Sequence, residues 1–458
     1  MDTKLSRRDF LRLAALSAAS AALAGCRTPP AEAPQTTQAT KEVVAIAPKA
    51  DPVELDYVAN WGDNYTVKVW NALKELPELK EYLGDNTIQV SSVGGDAFAT
   101  RLAGGTAPDG ASNVDYVQYM SRGMLIDVEP WVNTSSVIKP DDHITSVWGN
   151  AFYQGKMYGV PANENWVWYG LVYNSKLVEE AGLDPDTPPV TWDETVEWHR
   201  TITKFDDAGN MTLLGLDCYD AMANEPDFWA LSWGWQWFDE STGSFDLDNK
   251  SMIEAINVGA EFYKIAGPDN MVAMRQVEGQ GQWGGSFNAE VQAMLITGYW
   301  RPGATMTSKP EVGQYVRVSW APVPNMRRGA KIQGAGGHYV VFFRESKHAE
   351  AMFKIAEFLN TDAACLTIFD QTGWLPSRKS FIQQIDPNTY PGLDFYLVDI
   401  NETTDWLRSG RRCPIHWFVT SAYGELREAV YRGQMNAEQA AAELQKRAVD
   451  EWDAQALN

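Results

Sequence analysis

The sequence predicts an α/β protein built from parallel layers. Two patterns carry that expectation: alternating polar–apolar segments recur down the chain, and helical segments with start signals lie between them. Size adds a third point. A chain of 458 residues exceeds what one hydrophobic core usually holds, so more than one lobe is expected.

The elements follow in order. Val53, Leu55, Tyr57 and Ala59 alternate with polar neighbours and read as a strand. Residues 66–83 read as helix, interrupted at Pro77, which has no N–H to donate. Ile88, Val90 and the run to Val93 give a second strand, ended by Gly94-Gly95. Thr191 and Glu194, three apart before a periodic segment, form a capping-box helix start. Asn436 with Gln439 starts a last helix, whose Ala440, Leu444, Ala448 and Trp452 share one face. No internal repeat is visible.

The N-terminus has a different character. Ser6-Arg7-Arg8-Asp9-Phe10-Leu11-Arg12 precedes an apolar run from Leu13 to Leu23, which is too short to span a bilayer. A charged start, short apolar middle and small-residue end describe an export signal, and the paired arginines resemble the twin-arginine type. Leu23-Ala24-Gly25-Cys26 resembles a bacterial lipobox, so residues 1–25 are expected to be removed and Cys26 lipidated. Residues 26–50, with Pro29, Pro30, Pro34 and Pro48 and no aromatic residue, read as a solvated tether. No later stretch is apolar for 18 residues, so lipid alone would hold the protein at the outer face of the cytoplasmic membrane or in the periplasm.

Composition narrows the partners. With 38 basic and 60 acidic side chains the formal charge is −22, which leaves no basic footprint for a nucleic acid. The 19 Trp outnumber both the 18 Tyr and the 17 Phe, more indole than a core requires. Cys218, Cys365 and Cys413 follow Cys26 without CxxC spacing; one disulfide is possible, in any of three pairings.

Several chemistries find no motif. His143, His199, His338, His348 and His416 are scattered, with no HExxH, so no metal is expected. No P-loop, complete GxGxxG or GxSxG is present, and no cofactor is expected. Ser136-Val137-Ile138-Lys139 fits SxxK only as a short chance pattern.

Several spaced segments together resemble the extracellular solute-binding proteins of sugar-type ABC importers, the family that includes maltose-binding protein. Gly104-Gly105-Thr106-Ala107-Pro108-Asp109 resembles its "aGtaPDv" turn, and Gln154 to Pro161 its "GKiYGvP". Leu171 to Leu177 with Glu180-Ala181-Gly182-Leu183 resembles "lyYNkdlfeeaGl", and Pro188 to Glu194 resembles "PPkTWdEl". Phe287 to Trp300, Ser346 to Leu359, and Gly373-Trp374-Leu375-Pro376-Ser377-Arg378 complete the set. The order and spacing extend over roughly residues 52–450.

The resemblance implies a two-lobed periplasmic-binding-protein type II fold with an interlobe hinge and central cleft. One lobe is expected at 52–164 plus 324–371 and the other at 165–323 plus 372–458. Crossings are expected near Asn163 to Trp168, Trp320 to Pro324, and Gly373. It further implies a monomeric, non-enzymatic receptor that captures a carbohydrate of the oligosaccharide class and delivers it to permease subunits by hinge closure.

A pyranose offers C–H faces to aromatic rings and hydroxyl edges to polar groups. The ligand-binding candidates are therefore Trp61 at the first strand's end, Glu164, Trp166 and Trp168 at the first crossing, Trp235 in a Trp-Gly-Trp segment, and Trp283 in a glycine loop. Trp300 and Arg301 in "GsW", Gly337 and His338 at the cleft-side glycines, Trp374 at the third crossing and Tyr423 complete the set. Asp109 is included, with capping of its own turn as the competing role. Trp192, Trp198, Trp406 and Trp452 read as structural. Two other functions stay open: a secreted glycoside hydrolase or lyase with an aromatic cleft, and the same fold binding a polyamine, glycerol phosphate ester or peptide.

Overall fold

A computed structural model describes residues 51–218, 221–274, 285–407 and 412–456, and the elements below belong to one compact unit, Pro52–Asn458. The export segment 1–25, the tether 26–50 with Cys26, and Trp283 lie outside the described residues.

Two five-stranded sheets organise the unit. In chain order their strands are β1 (Glu54–Ala59), β2 (Thr87–Ser91), β3 (Gly110–Ser112), β4 (Gly159–Pro161), β5 (Gly170–Asn174), β6 (Lys204–Phe205), β7 (Met211–Leu216), β8 (Gln292–Thr297), β9 (Val316–Ser319) and β10 (Tyr339–Val341). The first sheet runs β2-β1-β3-β10-β4 and the second β9-β5-β8-β7-β6.

The layers are mixed rather than wholly parallel. β1 lies parallel to β2 and β3, joined by helices, but β10 runs antiparallel to β3 and β4. In the second sheet β5 is antiparallel to both β8 and β9, and only β7 and β8 pair in parallel. The reason is connectivity. β5 and β10 each follow a passage between sheets rather than a helical crossover, so the handedness rule for βαβ units does not set their direction.

The principal helices are α1 (Asp63–Lys74), α2 (Pro77–Leu83), α3 (Trp192–Ile202), α4 (Pro226–Trp233), α5 (Lys250–Ala266), α6 (Trp300–Ser308), α7 (Ala349–Leu359), α8 (Asp362–Thr372), α9 (His416–Tyr431) and α10 (Ala437–Ala456). The expected break falls between α1 and α2, with Pro77 at the first turn of α2, where its missing N–H costs nothing. Thr191 and Glu194 close their capping box at the start of α3. Asn436 and Gln439 do the same before α10: Gln439 N donates to Asn436 Oδ1 at 2.8 Å and Asn436 N to Gln439 Oε1 at 3.1 Å.

Each sheet has its own core. Leu55, Tyr57, Val58 and Val340 of the first sheet pack with α1, α7 and α8. Leu171, Leu214 and Met294 of the second pack with α3, α4, α5, α9 and α10. Part of the tryptophan excess is spent here. Trp192 stacks on Trp229 at 4.6 Å with planes 21° apart, and Trp233 and Trp237 are buried in the same cluster. Trp198 is buried beside them, whereas Trp406 is exposed at a two-stranded pairing of Ile332–Gln333 with Asp405–Trp406.

The passage expected near Trp320 to Pro324 lies later in the chain. Val323 bridges Thr191, and Ala321, Val323 and Ile332 pack in the second core, so the chain leaves that side only at 334–338. Residues 374–400 send Trp374, Leu375, Phe381, Phe395 and Tyr396 into the first core before α9 and α10 join the second. Cys218, Cys365 and Cys413 are all buried thiols, with Cys365 in the first core and the other two in the second.

Candidate functional site at the lobe crossings

Three passages between the lobes run side by side. Segment 162–168 lies antiparallel to 334–338: Trp168 N donates to Gly334 O, Gly336 N to Trp166 O and His338 N to Glu164 O, at 2.9, 3.1 and 2.8 Å. Asn165 N donates to Leu375 O at 2.9 Å, which brings in the third. Small residues make this approach possible. A Cβ on Gly336 would meet the Trp168 ring at 2.3 Å, and one on Gly337 would meet Glu164 O at 1.9 Å. Gly337 also holds φ at 147°, a conformation costly for residues with a Cβ.

The crossings gather Trp61, Glu164, His338 and Trp374 into one cluster. His338 Nε2 lies 3.0 Å from Glu164 Oε2. The Trp374 ring stands edge-on to His338 at 6.0 Å and to Trp61 at 6.1 Å, and Tyr65 tilts against it at 5.3 Å. Trp61 is reached from the C-terminal end of β1, where it also stacks on Trp70 at 6.1 Å and meets Tyr57 edge-on at 6.3 Å. Burial beside the Glu164 carboxylate holds the Tyr299 hydroxyl well above the usual phenol range, so it stays protonated and can donate. Trp300, edge-on to Tyr299 at 5.5 Å, is half-buried and packs against both cores.

Other predicted residues flank or leave this cluster. Trp166 enters the first core and donates its indole N–H to Tyr396 O at 2.8 Å, while Trp168 enters the second. Arg301 is buried near Tyr396, whose hydroxyl feels its charge. Asp109 is not brought to the crossings: its carboxylate accepts from Asp56 N at 2.9 Å and from Ser346 Oγ at 2.5 Å, which ties its own turn. Trp235 sits against the second core and donates to Asp246 O at 3.1 Å. Tyr423 is fully buried in that core under the Arg427 guanidinium, 4.9 Å from the ring centroid, so it is a packing residue. Sequence reasoning missed Tyr65, Tyr299, Asn163 and Asn165. Asn163 and Asn165 adjoin Glu164 at a predicted crossing, which was the available signal.

Trp61, Trp166, Trp168 and Trp374 are all buried where the crossings meet. What the cluster offers is then ring faces around one carboxylate and several buried amide and hydroxyl groups. Among the described residues, Glu225, Asp227 and His416 could offer metal ligands, all within 4.8 Å of one another. Asp227 already accepts from the Trp237 indole at 3.0 Å and contacts His416 Nε2 at 2.5 Å, a buried tie between α4 and α9 in the second core.

The profile of the bacterial extracellular solute-binding protein family matches residues 71–364. The chain belongs to that family. Its members bind solutes and are not enzymes, which sets aside the hydrolase and lyase reading. Solved structures share the two-lobed α/β fold. CpMnBP1 with mannotriose bound is 19% identical, with 86% of this chain and all of that one aligned at a TM-score of 0.73. An ABC transporter solute-binding protein from Thermotoga lettingae with α-D-tagatose is 17% identical, covering 88% of this chain and 100% of that one at 0.71. A Listeria monocytogenes ABC substrate-binding protein with cycloalternan is 18% identical, covering 88% and 99% at 0.70. No curated protein matches the chain in sequence.

Proposed function

We propose that this solute-binding protein captures a carbohydrate, of oligosaccharide size, in the aromatic cleft between its lobes and delivers it to an ABC permease by hinge closure. The observation that carries the reading is the Glu164–His338 pair set among Trp61, Tyr65 and Trp374 where the crossings meet. Rings cover sugar faces without competing for hydroxyls, and each stack that removes ~100 Å² of apolar surface contributes about 2.5 kcal/mol. The mannotriose and cycloalternan carried by the similar structures support a ligand of several units.

The lobes in this reading are 52–164 with 334–371 and the packed extension to 400, and 165–333 with 412–456. Cys26 carries the lipid, and the exported chain acts as a monomer held at the membrane by its tether.

Calorimetric titration of residues 27–458 with a panel of neutral mono-, di- and trisaccharides tests the reading, with spermidine and glycerol 3-phosphate as the competing classes. Saturable saccharide binding supports it; binding of spermidine alone would overturn it in favour of a polyamine held by Glu164. For the anchor, Cys26→Ser should release the protein from the membrane fraction.

A further inference from the structure

This inference rests on the carbohydrate reading and names the group that reads the sugar's edge. Asn163 holds a left-handed backbone, φ 67°, near the start of the first crossing, and is 1% exposed. Its amide makes a loose polar contact with the Tyr57 hydroxyl that favours the ionised phenol, but neither Oδ1 nor Nδ2 reaches full hydrogen-bond geometry with a described residue. Asn165 Oδ1, two residues on, is buried and likewise without a protein partner among them. Buried amides left in this condition are rare in folded proteins, because each lost hydrogen bond is destabilising.

The surroundings are matched to an outside group. The Tyr57 hydroxyl and the Trp61 indole N–H both donate to Ser112 Oγ, at 2.8 and 2.7 Å. Those three groups carry three hydrogens for two hydrogen bonds, so one hydroxyl hydrogen remains for a further acceptor. An amide adds a donor and an acceptor in one plane. A vicinal diol presents the same pair in reverse.

We propose that Asn163 is a specificity-determining residue that reads two adjacent hydroxyls of a neutral pyranose. Its Nδ2 donates to one sugar oxygen, its Oδ1 accepts from the neighbouring O–H, and the Tyr57–Ser112–Trp61 chain supplies the remaining hydrogen. The ligand class is a hexose unit with an intact diol at the inner end of the cleft.

Asparagine also tolerates left-handed backbone, so a purely conformational role has to be separated from a binding one. Asn163→Gly does so, because glycine accepts this φ more readily and lacks the amide. Wild type, Asn163→Gly and Asn163→Asp are titrated calorimetrically with mannotriose, maltotriose and their monosaccharides, and melted alongside. The expected result is affinity about 10- to 100-fold weaker in the glycine variant, with a melting temperature equal to or above wild type. Asn163→Asp, which keeps shape and loses the donor, should weaken binding in the same direction and serves as arbiter if the glycine variant folds poorly. Affinity within twofold of wild type in either folded variant would overturn the proposal while leaving the carbohydrate reading intact. A wild type that binds no saccharide would overturn that reading, and this inference with it.

Discussion

Gly303 and Gly373 meet backbone to backbone: a Cβ built on either falls 2.5 Å from the other's Cα. Gly303 lies in α6, which leaves the second sheet after β8, and Gly373 ends α8, which packs on α1 in the first lobe. The contact therefore sets how closely two elements of different lobes approach. Gly303→Ala should lower stability by about 1–3 kcal/mol and shift the molecule toward an open form. Melting and small-angle scattering would check it; an unchanged radius of gyration with unchanged stability would contradict it.

Gly337→Ala should act on the site itself. The added methyl meets the Glu164 carbonyl at 1.9 Å, and φ 147° is unfavourable for alanine. Glu164 and His338 would be displaced together. Saccharide affinity should fall with stability in this variant, whereas Gly94→Ala, with open space around its Cβ, should change neither by more than about 0.5 kcal/mol.

Trp300 and Trp192 should separate binding from packing. Trp300 is half-buried between the two cores, so Trp300→Ala should reduce or abolish the melting shift that a bound saccharide is expected to give. Trp192 is sealed under Trp229, and Trp192→Ala should cost about 3–5 kcal/mol of stability while leaving the shift in place. An unchanged shift in Trp300→Ala would remove that ring from the ligand's path.

His199 predicts an acid-sensitive second lobe. Leu216 N donates to its Nδ1 at 2.9 Å and its Nε2 faces Phe262 O at 3.2 Å, so the neutral ring carries its hydrogen on Nε2. Burial lowers its pKa from the ordinary 6.5 to about 4. The unfolded chain thus takes up the proton first. The contribution of His199 is complete above pH 6.5 and is lost as the pH falls toward 4, amounting to about 3 kcal/mol. His143, buried to about the same value beside Ser377 Oγ at 2.7 Å, titrates over the same window. Urea melts at pH 7.5, 5.5 and 4.5 should show a shallower pH slope in His199→Gln than in wild type.

The fold was legible because its signals are local. Pro77, the Thr191–Glu194 box and the Asn436–Gln439 pair each act within a few residues, and each ends or starts a helix where expected. The site was legible in part. Glu164, His338 and Trp374 meet as their positions suggested, since glycines flank each approach. Trp235 and Tyr423 misled because an aromatic ring in a loop or helix gives no sign of which face it covers; Asp246 and Arg427 decide that, and both are non-local or sit a turn away. The antiparallel direction of β10 depends on a passage more than two hundred residues downstream of β3, which no window of sequence contains.

That strand order has a kinetic consequence. β10 inserts between β3 and β4, so the first sheet cannot close until residues 339–341 have been made, although β1 to β4 precede the whole second sheet. During synthesis the early strands wait with unpaired edges while the second sheet, contained in 170–319, has all its strands in hand. The sheet first in sequence is thus the last to close, and its open edges are the stretch of the nascent chain most exposed to mispairing.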